Sequence, residues 1–215
     1  MELFDQTNAA EVAEKLLDIQ AIRLQPEKPF TWASGWKSPI YCDNRLALSF
    51  PGTRRFIKES LIAAVKHNFP NAEGIAGVAT AGIPQGALIA DAMDLPFMYV
   101  RSKPKGHGME NMIEGKVTEG QKVVVVEDLI STGGSSLKAV QDLRNAGFEV
   151  LGMVAIFTYG FEIAEQNFSN AAVKLICLSD YAAMLPQAVN SGYIDKSALF
   201  SLNEWRKDPG NWKQE

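Results

Sequence analysis

Val123-Val124-Val125-Val126-Glu127-Asp128-Leu129-Ile130-Ser131-Thr132-Gly133-Gly134-Ser135 is the stretch on which the reading of the chain turns. Four consecutive β-branched residues without polar alternation describe a strand covered on both faces, the habit of a parallel sheet. Two adjacent acids, Glu127 and Asp128, follow the run, and helical periodicity begins near Ser135 after a Ser/Thr/Gly loop. Backbone N–H groups of small residues at a helix N-terminus form an anion site. Carboxylates at a strand's C-terminal edge can hold sugar hydroxyls, a metal or developing positive charge. A ligand with a phosphate on one side and a ribose on the other suits both halves. The plain alternative is a β–α turn in which Asp128 and Ser135 only cap backbone groups. Two acids directly after an apolar strand are costly unless solvated or liganded, which favours a site. The segment is neither a Gly-Lys-Ser/Thr loop nor a GxGxxG turn.

Outward from this segment the pattern alternates. The strand is expected over 121–126 and the helix over 135–145, with Gly147 just past its end as a C-cap signal. Strands are expected at 74–79, 95–100, 150–157 and 173–178. Helices are expected at 5–19, 51–69, 82–93, 161–167, 180–189 and 195–206. Such alternation from residue 51 onward predicts an α/β fold with a mostly parallel, doubly wound sheet flanked by helices. Residues 1–50 read as an N-terminal helix and a small hood hairpin around Ser34-Gly35, and residues 51–215 as the α/β core. The 101–119 stretch is polar and aperiodic, and a connection of that length in a compact domain is usually functional or mobile.

The chain has 215 residues, 47% of them apolar and 21% charged, with a net charge of −4. That balance suits a globular protein large enough to need no disulfide or metal staple. It gives no global attraction to nucleic acid, so an anionic substrate must meet a local basic cluster. Cys42 and Cys177 lack metal-ligand or CxxC spacing and read as reduced thiols, which with the absence of a signal-peptide pattern suggests the cytoplasm. No apolar run is long enough to cross a membrane. Asn167-Phe168-Ser169 reads as a chance sequon, and His67 as a surface residue of a helix.

Two further groups of residues carry chemistry. Arg101-Ser102-Lys103-Pro104-Lys105-Gly106-His107-Gly108 puts three fixed cations and a histidine into seven positions, enough to close over a highly charged anion and exclude water. Thr31-Trp32-Ala33-Ser34-Gly35-Trp36-Lys37-Ser38-Pro39-Ile40-Tyr41-Cys42-Asp43 mixes aromatics with turn residues. The apolar strand, acid pair and Ser-Thr-Gly-Gly-Ser loop resemble the phosphoribosyl pyrophosphate (PRPP) motif of type I phosphoribosyltransferases. Together with the other two segments, in this order, they resemble the orotate phosphoribosyltransferase family over nearly the whole chain.

The resemblance implies transfer of a 5-phosphoribosyl group from PRPP to orotate, giving orotidine 5′-monophosphate and pyrophosphate with Mg²⁺ as cofactor. It implies that Glu127 and Asp128 hold the ribose hydroxyls and stabilise charge at the anomeric carbon, and that Lys105 and His107 join them in catalysis. Leu129, Ile130, Ser131, Thr132, Gly133, Gly134 and Ser135 would complete the PRPP site, with Arg101, Lys105 and His107 on the pyrophosphate. Ser131 matches a position that contacts orotate. No dedicated metal-ligand cluster is expected. A homodimer sharing the 101–108 loop is implied, with neither nucleic acid nor membrane as partner. Cations of the enterobacterial branch are replaced at Ala33, Thr80-Ala81 and Tyr159, the last standing where an arginine would pair with the orotate carboxylate. Lys37 is the expected substitute. A purine phosphoribosyltransferase, or a non-catalytic PRPP-binding regulator, stays open as an alternative.

Overall fold

The computed structural model describes residues 1–32, 35–103 and 112–213. In chain order the elements are β1 (Glu2–Leu3), α1 (Gln6–Asp18), β2 (Ile22–Leu24), β3 (Phe30–Thr31), β4 (Lys37–Ser38), β5 (Ile40–Cys42), a 3-10 helix (Asn44–Ser49), α2 (Pro51–Asn68), β6 (Gly74–Val78) and α3 (Gly82–Met93). There follow β7 (Phe97–Val100), β8 (Ile113–Glu114), β9 (Lys122–Ile130), α4 (Gly134–Asn145), β10 (Glu149–Thr158), α5 (Glu162–Asn170), β11 (Leu175–Asp180), α6 (Tyr181–Asn190), a second 3-10 turn (Lys196–Ala198) and α7 (Leu199–Lys207).

Seven strands form one sheet in the order β1-β11-β10-β9-β6-β7-β8, parallel throughout except for the β7–β8 edge. Helices cover both faces, as the valine run demands: Val123 to Val126 are all 0% exposed. Val124 and Val126 pack with α1, α2, α3 and α6, and Val123 and Val125 with α4 and α5. Strand side chains alternate, so the next two residues divide the same way. Glu127 belongs to the α4 face and Asp128 to the opposite one.

β9 is longer than the valine run suggests. The expected strand ends at Val126, but pairing with β10 continues through Ala155↔Glu127, Phe157↔Leu129 and Thr158↔Ile130. On its other edge β9 loses its partner earlier, the last pair with β6 being Gly77↔Val126. The acids therefore lie inside a strand that is paired on one side and open on the other. This opening is also where the winding reverses, with β6 and β7 leading one way and β10 and β11 the other, the usual ligand crevice of an open α/β sheet.

Four short strands, β1, β2, β5 and β8, escaped the periodicity. β1 exists by pairing with β11, β8 by pairing with β7, and β2 by pairing with β5. Two or three residues carry no readable period; a neighbour's free edge makes them strands. The expected hairpin is present as β3 against β4, with Phe30↔Ser38 and Thr31↔Lys37. The helix expected at 195–206 is divided into the 3-10 turn and α7. His67 is exposed at the end of α2.

α3 lies so close to β9 that a Cβ on Gly82 would sit 2.3 Å from the Val126 carbonyl oxygen. Backbone cannot yield there as a flexible side chain would. Gly82→Ala is expected to destabilise the protein by about 1–3 kcal/mol, the usual penalty of overpacking. Urea-denaturation midpoints of the variant and the parent check this; equal midpoints would contradict the contact.

Candidate active site

The C-terminal ends of β6, β7, β9 and β10 bring together the Ala79–Ala81 turn, Arg101, the Asp128–Gly133 segment and Thr158–Gly160. Glu127 is only 6% exposed. Ser136, one turn into α4, donates its hydroxyl to Oε2 at 2.9 Å, and the Asp128 N–H donates to Oε1 at 3.1 Å. Burial, and then the neighbouring Asp128 charge, push the Glu127 carboxyl up to about 8. Asp128 is raised as well, chiefly by burial, against the lowering effect of hydrogen bonds and of Arg45. Two carboxyls so placed make a site that gains from positive charge.

The loop after β9 is braced from behind. The Asp128 carbonyl accepts from Asn44 Nδ2 at 2.7 Å, and the Ile130 carbonyl from Thr158 Oγ1 at 3.2 Å and the Tyr159 N–H at 3.1 Å. The Thr132 carbonyl accepts from Asn167 Nδ2 at 2.9 Å. Gly133 turns the chain at φ +81°, and the Phe168 ring lies 2.5 Å from where its Cβ would be, so only glycine fits. No side chain caps α4, and Gly134 and Ser135 are exposed. The first-turn N–H groups of α4 are thus presented to an anion from a fixed loop.

Beside this cradle is a cavity of about 300 Å³ lined by Thr31, Trp32, Tyr41, Cys42, Leu129, Ser131 and Tyr159. Its walls are largely aromatic, suited to a flat ring. The Trp32 indole donates to the Ile40 carbonyl at 3.2 Å, and its ring lies 5.1 Å from that of Tyr159. Tyr159 is 3% exposed and also packs on Phe157, Phe161 and Trp205. Burial drives its phenol well above the ordinary range, so it is a neutral wall.

Of the residues singled out by sequence, Glu127 through Ser135 come together at this edge. Lys37 does not line the cavity; its Nζ donates to Thr31 Oγ1, which does, at 3.4 Å. Arg101, expected on pyrophosphate, pairs with Glu114 at 3.3 Å on the sheet's edge. Lys105 and His107, with Ala33 and Ser34, lie outside the described residues. Among the described residues no three His, Cys, Asp or Glu side chains converge as a metal cluster, and no helix is long and apolar enough to cross a membrane. Asn44, Ser136 and Asn167 were not anticipated. The polar run 131–136 already contained Ser136, but nothing local marks Asn44 or Asn167, whose partners are 84 and 35 positions away.

Two acids where β9 loses one partner, an uncapped helix N-terminus and an aromatic cavity thus stand side by side at this edge of the sheet. Residues 60–178 match the model of the phosphoribosyl transferase domain, more than half of the chain. The chain is 62% identical to orotate phosphoribosyltransferase of Cytophaga hutchinsonii, over 95% of this chain and 98% of that protein. It is 55% identical to the enzyme of that name from Streptococcus pneumoniae, over 97% and 99%. Among solved structures, orotate phosphoribosyltransferase from Aeropyrum pernix superposes with a TM-score of 0.74 at 27% identity, covering 85% of this chain and 99% of that one. The chain belongs to the phosphoribosyltransferases and, within them, to the orotate phosphoribosyltransferase family.

The Glu127 environment has a thermodynamic signature. With a carboxyl near 8 in the folded protein against an ordinary value of 4.5, the folded state retains a proton that the unfolded chain releases between those limits. Its favourable contribution is fully present below about 4.5 and is lost as the pH rises through about 8. In the ligand-free protein Glu127→Gln is therefore expected to gain stability over the parent as pH is raised from about 5 to about 9. Urea midpoints across that range test it; a constant gap between the two proteins would refute the assignment.

Proposed function

We propose that the chain transfers the 5-phosphoribosyl group of PRPP to orotate, releasing pyrophosphate and forming orotidine 5′-monophosphate in pyrimidine biosynthesis. The observation that carries this reading is the fixed anion cradle at 131–136 immediately beside an aromatic cavity, in a chain 55–62% identical over nearly its full length to orotate phosphoribosyltransferases. The 5′-phosphate takes the N–H groups and hydroxyls of Ser131 to Ser135. The ribose then lies against the β9 carboxylates, and the base enters the cavity next to Ser131.

As pyrophosphate departs, positive charge grows at the anomeric carbon, and Asp128 stabilises it without forming a covalent bond. Glu127, held by Ser136 and kept largely neutral by burial, contributes hydrogen bonding to the ribose hydroxyls rather than charge. Orotate supplies the attacking nitrogen, so no enzyme nucleophile is required. Arg101, Lys105 and His107 receive the pyrophosphate. Arg101 exchanges its pairing with Glu114 for the leaving group. Leu129 and Ile130 contribute backbone and position.

Mg²⁺ fits as cofactor. The paired carboxyls favour a cation beside them. When bound, it neutralises pyrophosphate charge. Lys37, one hydrogen bond from the cavity wall, supplies the positive charge for the orotate carboxylate. A homodimer sharing the 101–108 loop completes each site; a monomer in sedimentation at assay concentration would remove this part of the reading. Two free cysteines are in keeping with the reducing cytoplasm.

Incubation with Mg²⁺, PRPP and, in turn, orotate, hypoxanthine, guanine or adenine is expected to consume orotate alone; loss of a purine would favour a purine phosphoribosyltransferase. In the same assay Asp128→Asn should lower kcat at least about tenfold, and a near-native rate would reduce Asp128 to a structural role. Lys37→Ala should raise the KM for orotate and spare that for PRPP. An unaltered orotate KM would leave the carboxylate to backbone N–H groups.

A further inference from the structure

Asn44 opens the 3-10 helix after β5 and is 1% exposed. Its amide faces two ways. Nδ2 donates to the Asp128 carbonyl at 2.7 Å, and Oδ1 accepts from the Cys42 thiol at 3.3 Å. Cys42 is itself a wall of the base cavity. The turn carrying Asn44 is held from outside: the Asp43 carboxylate accepts from the Arg45 N–H at 3.2 Å and pairs with the Arg45 guanidinium at 2.6 Å, while the Asp43 N–H donates to the Ala21 carbonyl at 2.8 Å.

We propose that Asn44 is a positioning residue that couples the base cavity to Asp128. The Cys42 thiol holds one end of the Asn44 amide, and the other end holds the main chain of Asp128. The inference rests on reading the cavity as the orotate site. An amide can occupy its slot in two orientations, and only one directs N–H at the Asp128 carbonyl. The Asp128 carbonyl can only accept, so it takes the nitrogen, and the Cys42 thiol holds the other end of the amide by donating to the oxygen. Burial keeps the Cys42 thiol well above the ordinary range and hence protonated as that donor. A base pressing on Cys42 tightens or loosens the chain of two hydrogen bonds, and the carboxylate that stabilises transition-state charge moves with its own backbone. Cavity occupancy is in this way conveyed to the reacting centre over two contacts.

Steady-state kinetics with a double-mutant cycle test the coupling. Asn44→Ala and Cys42→Ala are each expected to lower kcat about tenfold while the KM for PRPP stays within about threefold. Cys42→Ser, which keeps a donor, should recover at least about threefold over Cys42→Ala. The double alanine variant should be no slower than Asn44→Ala alone, because both changes break one relay. Losses that multiply in the double variant, or lowered melting temperatures with kcat per folded enzyme intact, would overturn the proposal. A second readout needs no turnover: the Asn44 side-chain amide resonances in a ¹⁵N–¹H spectrum should shift in Cys42→Ala and return in Cys42→Ser. Unmoved resonances would overturn the relay. A shift of this kind in a chain that consumed no orotate would support the relay and count against the orotate reading alone.

Discussion

β9 has a neighbour on one edge for its whole length and on the other only as far as Val126. Everything else at the site depends on that asymmetry. Pairing with β10 keeps β9 extended through Ile130, so Glu127 and Asp128 leave the strand on different sides yet stay close enough for their carboxyls to interact. The missing partner beyond Val126 leaves the crevice in which a ligand can reach them. Gly82 seats α3 against the same strand, closing one wall with backbone alone.

The division of the acids sets their chemistry. Glu127 turns to the α4 face, where Ser136 and the Asp128 N–H are its partners and burial favours the neutral acid. Asp128 faces the N-terminal strands, where Asn44 holds its carbonyl and Arg45 offsets part of its burial. An arriving cation, whether bound metal or developing charge on a sugar carbon, relieves a strain that is electrostatic in origin. In the ligand-free protein that arrangement costs stability above neutral pH, as expected where a site is built for a bound state.

Base recognition follows a different logic. Tyr159 is a cavity wall stacked among Trp32, Phe161 and Trp205. In the proposed reaction, shape and ring contact carry much of the recognition, with Ser131 on the wall and Lys37 bonded to Thr31 beside it. Cys42, which the sequence offers only as a reduced thiol, stands on that wall and bonds to Asn44.

The sequence by itself determined the parallel sheet, the covering of both faces and the place of the uncapped helix start after the acids, because each has a local cause. A four-valine run can be satisfied only by burial on two sides, and a small-residue loop before a helix exposes N–H groups whatever surrounds it. The tertiary structure decided the rest. β1, β2 and β8 are strands because an edge was free beside them, and β9 runs on past its valines because β10 does. Asn44, Ser136 and Asn167 act on residues 84, 9 and 35 positions away. No local period encodes such pairings; they arise when packing brings the ends of separate elements to one edge, where each buried carbonyl and carboxyl must find a partner.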